Sequence, residues 1–290
     1  MNVESMIGST LRATHRLHPG LGARAAASAF LHVGPRMRLH PGAAEIMGQA
    51  RRDTVAVPGA PADVVRYEWG SGDRVVLLVH GWQGRAAQFA PLAARLAHSG
   101  MRVVALDAPA HGAAGGRSCT VLDIIRAAQV LTDDALAEGP ATRLRAVVGH
   151  SLGGLAAMTA VADGLPAETA VTVAAPADVD AVFREFAAQL DLPDDLRARV
   201  RARVAARVGE RETDALSAIR AVPGLAPLVV HDRADRRMPV AEAVRIAEAH
   251  PGAELLVTEG SGHARILATG SVIERIADHV HSAPARALAA

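Results

Sequence analysis

Apolar residues along this chain fall into two textures, short unbroken runs and longer stretches with one apolar stripe per helical turn. Residues 54–59 (TVAVPG) and 63–69 (DVVRYEW) read as strands, and Gly70-Ser71-Gly72-Asp73 reads as a tight turn between the second strand and a third. The third, residues 74–80 (RVVLLVH), is continuously apolar, as expected of a strand buried on both faces. Residues 86–100 then read as a helix closed by Gly100, 101–107 as another buried strand, and 120–138 as a helix capped by Thr120 with Asp123 three residues on. Residues 144–149 form a strand and 152–161 a helix, with Ser151 at the joint. Strands follow at 170–176, 226–231 and 253–260.

Strand and helix alternate, so the pattern predicts an α/β fold with a mostly parallel, doubly wound sheet and right-handed crossovers. One segment breaks the rhythm. Residues 178–190, 194–208 and 210–219 read as helices with no strand among them. An all-helical insertion between two strands is expected to form a cap over one edge of the sheet. The resulting division is an amino-terminal segment (1–51), a core (52–176 and 222–283), a helical insertion (177–221) and a tail (284–290).

Composition narrows the classes. The chain has 290 residues, of which 50% are apolar but only four are Phe, two Trp and one Tyr, so Ala, Val, Leu and Ile must build the core. A net charge of +1 gives no general attraction to nucleic acid, and no apolar stretch approaches the length of a membrane span. Cys119 is the only cysteine, which excludes an intrachain disulfide and argues against structural zinc. All the strongly basic side chains are Arg. Residues 25–30 read AAASAF, yet Arg24 interrupts the apolar region, so a cytoplasmic enzyme is expected rather than a secreted one.

Residues 1–51 carry Arg12, His15, Arg16, Arg24, Arg36 and Arg38 against Glu4 and Glu45, with a helix expected around 21–33. Its apolar side is mostly alanine, so the expected role is packing on the domain's flank with a solvated basic face. Weak association with an anionic membrane surface is the alternative. In the insertion, Arg197, Arg199, Arg201, Arg203 and Arg207 give one helix a basic face over a Val200, Val204, Val208 stripe.

The chemistry concentrates at strand ends. Gly149-His150-Ser151-Leu152-Gly153 fits a corner in which a strand turns into a helix within one residue. That turn holds the serine at positive φ, and glycines two positions away remove side chains that would collide with it. The amide of Leu152 is then free to face a developing oxyanion, and Trp82, after Gly81 in VHGWQG, offers a second. Asp232 and Asp235 follow the 226–231 strand, and His263 follows the last one. All these segments share the carboxyl edge of the sheet, where open α/β sheets bind ligands.

HGWQG, DAPAHG, GHSLGG, HDRADRRMP and GSGHARIL, in this order, resemble the α/β-hydrolase superfamily over about residues 62–281, with a texture similar to capped bacterial serine esterases. The resemblance implies Ser151 as nucleophile, His263 as base and Asp235 as acid, with Met238 standing where the pattern has Val. A hydroxyl at the elbow points to acyl chemistry on an ester or thioester, through an acyl-enzyme and with no cofactor. An acyltransferase or C–C bond hydrolase on the same triad, or a non-catalytic binding protein, are the alternatives. His80 and His150 are expected to support loops and His111 to be structural. Phe183 and Phe186 would line an acyl pocket or anchor the cap. No metal site is expected.

Overall fold

Eight strands form one sheet in the computed structural model, which describes residues 3–139, 141–208, 215–220, 222, 224–284 and 286. They are β1 (Arg51–Val55), β2 (Val64–Trp69), β3 (Arg74–Val79), β4 (Arg102–Asp107), β5 (Arg143–His150), β6 (Thr169–Val173), β7 (Leu228–Asp232) and β8 (Glu254–Thr258). Their spatial order is β1-β2-β4-β3-β5-β6-β7-β8. β2 runs antiparallel to β1 and β4, and every pairing from β4 to β8 is parallel.

Helices α1 (Val3–Leu17), α2 (Pro19–Leu31) and α3 (Pro41–Gly48) precede the sheet. α4 (Ala90–His98), α5 (Val121–Leu136) and α6 (Leu152–Ala162) connect its first strands. α7 (Val179–Gln189), α8 (Asp194–Val208) and α9 (Ala215–Arg220) lie between β6 and β7, and α10 (Val240–Glu248), α11 (Gly262–Arg265) and α12 (Gly270–Ser282) complete the chain. The helix expected over 210–219 is seen as α9; residues 209–214 lie outside the described residues.

The unbroken apolar runs have a simple cause. Along β3, Val75, Leu77 and Val79 point to one side of the sheet and pack with Ile124, Leu131, Leu155 and Ile246. Val76 and Leu78 point to the other and pack with Leu92, Leu96, Ile276 and Val280. A period-two backbone between two helical layers needs an apolar residue at every position.

Several expectations shift. The strand expected at 54–59 lies at Arg51–Val55, because the chain turns away through Pro58 and Gly59 (φ 76°). The strand expected at 170–176 ends at Val173, where Ala174 takes φ 51°. The 86–100 helix opens with a 3₁₀ turn, Ala86–Phe89, before α4, whose Pro91 suits a first turn. Residues 70–73 do join β2 to β3, but β4 lies between them. The loop crosses the start of β4 so closely that a Cβ on Gly72 would stand 2.1 Å from the Gly100 carbonyl oxygen.

The largest difference is at the amino end. Instead of one helix on the flank, α1 and α2 pack on α7 and α8. Leu11, Ala23, Ala26 and Leu31 meet Phe183, Leu190, Leu196, Val200 and Val204 in a third apolar cluster. Gly8 permits the contact, since a Cβ there would lie 2.1 Å from the Leu190 carbonyl oxygen. Val200 and Val204 are buried as expected; the side chain of Val208 is outside the described set.

Asp107, at the end of β4, holds the neighbouring loops. It accepts the amides of Ala86 and Ala113, each at 2.7 Å, and the Tyr67 hydroxyl at 3.1 Å; the carboxylate, Ala86 and Tyr67 are buried, and Ala113 is exposed. Asp107→Asn replaces an acceptor-only carboxylate by a group with one acceptor oxygen, so one of the two backbone amides faces an NH2 group instead of an acceptor. We expect a loss of about 1–3 kcal/mol, read as a lower urea midpoint; an unchanged midpoint would contradict this role.

Candidate active site

The site forms where β5 ends. Ser151 caps α6 with φ 52° and ψ −127°, and its own amide donates to the Val173 carbonyl at 2.8 Å. Its flanking glycines are sterically required. A Cβ on Gly149 would lie 2.3 Å from the Gly153 oxygen, and one on Gly153 2.2 Å from the Val79 oxygen. Such a conformation costs about 1–3 kcal/mol and persists only where its surroundings fix it.

Two loops converge on this corner. After β7, Asp235 accepts the amides of Arg237 (2.8 Å) and Met238 (2.9 Å) through Oδ1, leaving Oδ2 2.7 Å from His263 Nδ1. After β8, α11 carries His263, whose Nε2 lies 3.1 Å from Ser151 Oγ. Ser151, His263 and Asp235, separated by 84 and 28 residues in sequence order Ser, Asp, His, thus form one continuous hydrogen-bonded line. Burial raises the Asp235 carboxyl, but the bonds from His263 and Met238 outweigh it and hold the group below its ordinary range.

Asp232, the other sequence candidate, is occupied elsewhere. It accepts the Ala234 amide (2.9 Å), the Thr258 hydroxyl (2.8 Å) and the Ser261 amide (3.0 Å). It therefore braces the loop that presents His263. Burial opposes its charge, yet these bonds bring the carboxyl below its ordinary 3.8.

The loop after β3 runs against the serine. A Cβ on Gly81 would stand 2.7 Å from Ser151 Cβ, and the turn is closed by Gly84 N–H to Gly81 O at 3.0 Å with Gln83 at φ 57°. Trp82 occupies the second position of this turn, with its half-buried ring edge-on to His111. Leu152 is the first residue of α6, so its amide has no acceptor within the helix.

Four buried histidines fix the loops. His80 Nδ1 donates to the Gly81 carbonyl (2.7 Å) while its Nε2 accepts the Ala108 amide (3.0 Å). His111 donates to the Pro109 carbonyl at 2.9 Å. His150 donates through Nε2 to the carbonyl of His263 at 2.8 Å, tying the elbow to the imidazole it faces. His231 donates to the Met238 carbonyl at 2.9 Å and supports the Asp235 loop. Burial drives the first three down to about 4, 3 and 3, so they stay neutral at ordinary pH. Among the described residues no group of three or more His, Cys, Asp or Glu is placed to hold a metal.

Phe183 and Phe186 belong to the helical cluster. The Phe183 ring is buried and stacks on Phe30 at 4.4 Å; Phe186 meets Phe30 edge-on at 5.1 Å. These contacts give both rings an amino-terminal partner that the sequence reading did not supply. Beside His263 a hollow of about 330 Å³ is lined by Ala234, Arg236, Arg237, Gly260, Gly262 and Arg265.

Comparison with known proteins bears on the family and the fold. Residues 70–261, about two thirds of the chain, match the sequence profile of the family described as serine aminopeptidase, S33. The chain belongs to this family. It thereby joins the α/β-hydrolase superfamily, whose fold its solved structural neighbours share. An esterase from Pyrococcus furiosus superposes with a TM-score of 0.64 at 20% identity, covering 86% of this chain and 96% of the esterase. A thermophilic esterase from Thermogutta terrifontis gives 0.61 at 17% identity, with 80% and 100% covered. The thioesterase domain from the curacin biosynthetic pathway gives 0.57 at 17% identity, with 80% and 98% covered. A search of curated proteins gives no match.

Asp232→Asn separates bracing from chemistry. It should lower unfolding free energy by about 1–3 kcal/mol. Because the native carboxyl titrates below its unfolded value, its contribution is present in full above pH 4 and lost as pH falls through about 2. The gap between wild type and variant in urea unfolding should therefore narrow with acidification, and a gap independent of pH would argue against this assignment.

Proposed function

We propose that this protein is a serine hydrolase that cleaves a carboxylic ester or thioester through an acyl-enzyme. The observation carrying the proposal is the line from Asp235 Oδ2 to His263 Nδ1 (2.7 Å) and from His263 Nε2 to Ser151 Oγ (3.1 Å). Both distances suit proton transfer. Ser151 Oγ attacks the carbonyl carbon as His263 Nε2 takes its proton. Asp235 holds the Nδ1–H and stabilises the imidazolium. The oxyanion is met by the backbone amides of Trp82 and Leu152. Collapse expels the alcohol or thiol, which takes the proton from His263. Water then attacks the acyl carbon with His263 again as base, releasing the acid and restoring the serine.

The family's description names an aminopeptidase, and the charge near His263 weighs against a cationic amino terminus as substrate. The hollow beside it is lined by Arg236, Arg237 and Arg265, without a carboxylate among its lining residues. Helices α1, α2, α7 and α8 serve as the cap. Gln83 donates to the Val33 carbonyl at 3.0 Å, and Arg237 pairs with Glu185 of α7 at 2.8 Å, tying that cluster to the loops bearing Trp82 and Asp235.

Turnover of a short-chain p-nitrophenyl ester tests the proposal. Ser151→Ala should unfold like the wild type and lose nearly all turnover, a drop of roughly 10⁴-fold or more; retained turnover would reject it. Asp235→Asn should lower kcat by about 10³–10⁴-fold, as expected for a mis-set imidazole tautomer, whereas Asp232→Asn should retain most of kcat. Reversal of that order would move the acid to Asp232. Product analysis with an added alcohol acceptor separates hydrolysis from acyl transfer.

A further inference from the structure

Helix α1 buries one stripe and leaves another bare. Gly8, Leu11 and His15 face α7 and α8, and the helix is fixed there by Arg12 to the Leu190 carbonyl (2.8 Å) and His15 to Asp195 (2.7 Å). A second stripe, Val3, Met6, Ile7 and Leu17 with Thr10, Ala13 and Thr14 between, turns outward at helical spacing. The exposures are 71%, 53%, 41% and 76% for the four large residues. Leu21 on α2, and Met37 and Leu39 after it, are exposed as well, so among the described residues all but one of the exposed large apolar side chains fall within the first 39. A rigidly mounted apolar stripe of this kind marks a docking face.

Charge identifies the occupant. Residues 1–44 contain five Arg and a single acid, Glu4. Arg16, Arg24 and Arg38, all exposed, have no partner among the described residues, while the nearby Asp191 and Asp195 are taken by Arg12 and His15. A second copy of the chain would bring the same unpaired arginines against each other. A bilayer with anionic headgroups satisfies both features, taking the apolar side chains at the acyl boundary and the guanidiniums among its phosphates. We propose that α1, with Leu21 and the 36–39 segment, is a peripheral docking surface for anionic membranes. Val33, two residues after α2, accepts a hydrogen bond from Gln83 in the loop that carries Trp82, so docking sets the site's end of the molecule at the lipid surface.

Vesicle co-sedimentation of the full chain tests this, comparing mixed phosphatidylglycerol–phosphatidylcholine vesicles with pure phosphatidylcholine. The wild type should sediment with the mixed vesicles, weakly with the neutral ones, and less as salt rises. Combining Val3→Ser, Met6→Ser, Ile7→Ser and Leu17→Ser should lower partitioning by more than about tenfold. Combining Arg16→Gln, Arg24→Gln and Arg38→Gln should lower it by roughly fivefold per arginine. Both variants should keep the wild-type thermal midpoint, a readout independent of whether the site hydrolyses esters. Failure of the wild type to sediment would overturn the proposal, as would undiminished binding by the folded variants. A solution dimer that the serine variant dissociates, without vesicle binding, would assign the face to a second copy instead.

Discussion

The backbone of Ser151 is the constraint on which the rest of the structure depends. A serine at φ 52° is disfavoured on its own, and the fold supports it from three sides. Gly149 and Gly153 clear the space, the Val173 carbonyl holds the Ser151 amide, and the loop at Gly81 closes over the Cβ. The supports come from β5 and α6, from β6, and from the loop that follows β3. A corner assembled this way is set by the sheet's register, so the hydroxyl is aimed before any substrate arrives.

The other half of the site is held largely by neutral imidazoles, beside the Asp232 carboxylate and the Arg237–Glu185 pair. His80, His111, His150 and His231 each give a ring N–H to a backbone carbonyl in a place where burial suppresses their charge. Loops fixed through neutral donors avoid the cost of burying charges. The only ionised group on the serine–imidazole line is Asp235, which lies at its far end. Asp232 does for the loop what Asp235 does for the ring, and that division of labour explains two aspartates three residues apart.

Much of this was legible in the sequence. Continuous apolar runs marked buried parallel strands, and the glycine pair around Ser151 marked the strained corner. Chain order alone put His263 on the last loop. The choice of Asp235 over Asp232 came from a resemblance, and only geometry distinguishes brace from partner. Less legible was the amino end, where α1 distributes its apolar residues over two stripes. Its apolar residues do recur at helical spacing, but that spacing does not say that Leu11 meets α7 and α8 while Val3, Met6, Ile7 and Leu17 stay bare. The partner of Phe183 was hidden for a related reason: Phe30 lies 153 residues upstream, and no local period links them. The crossing of the 70–73 loop over β4 depends on strand order, which periodicity does not encode.

The most direct test of the central claim is the structure of the chain after reaction with a phosphonate ester. A covalent bond from phosphorus to Ser151 Oγ, with the phosphoryl oxygen about 3 Å from the amides of Trp82 and Leu152, is the result this account predicts. Labelling of another residue, or a phosphoryl oxygen turned away from both amides, would contradict it.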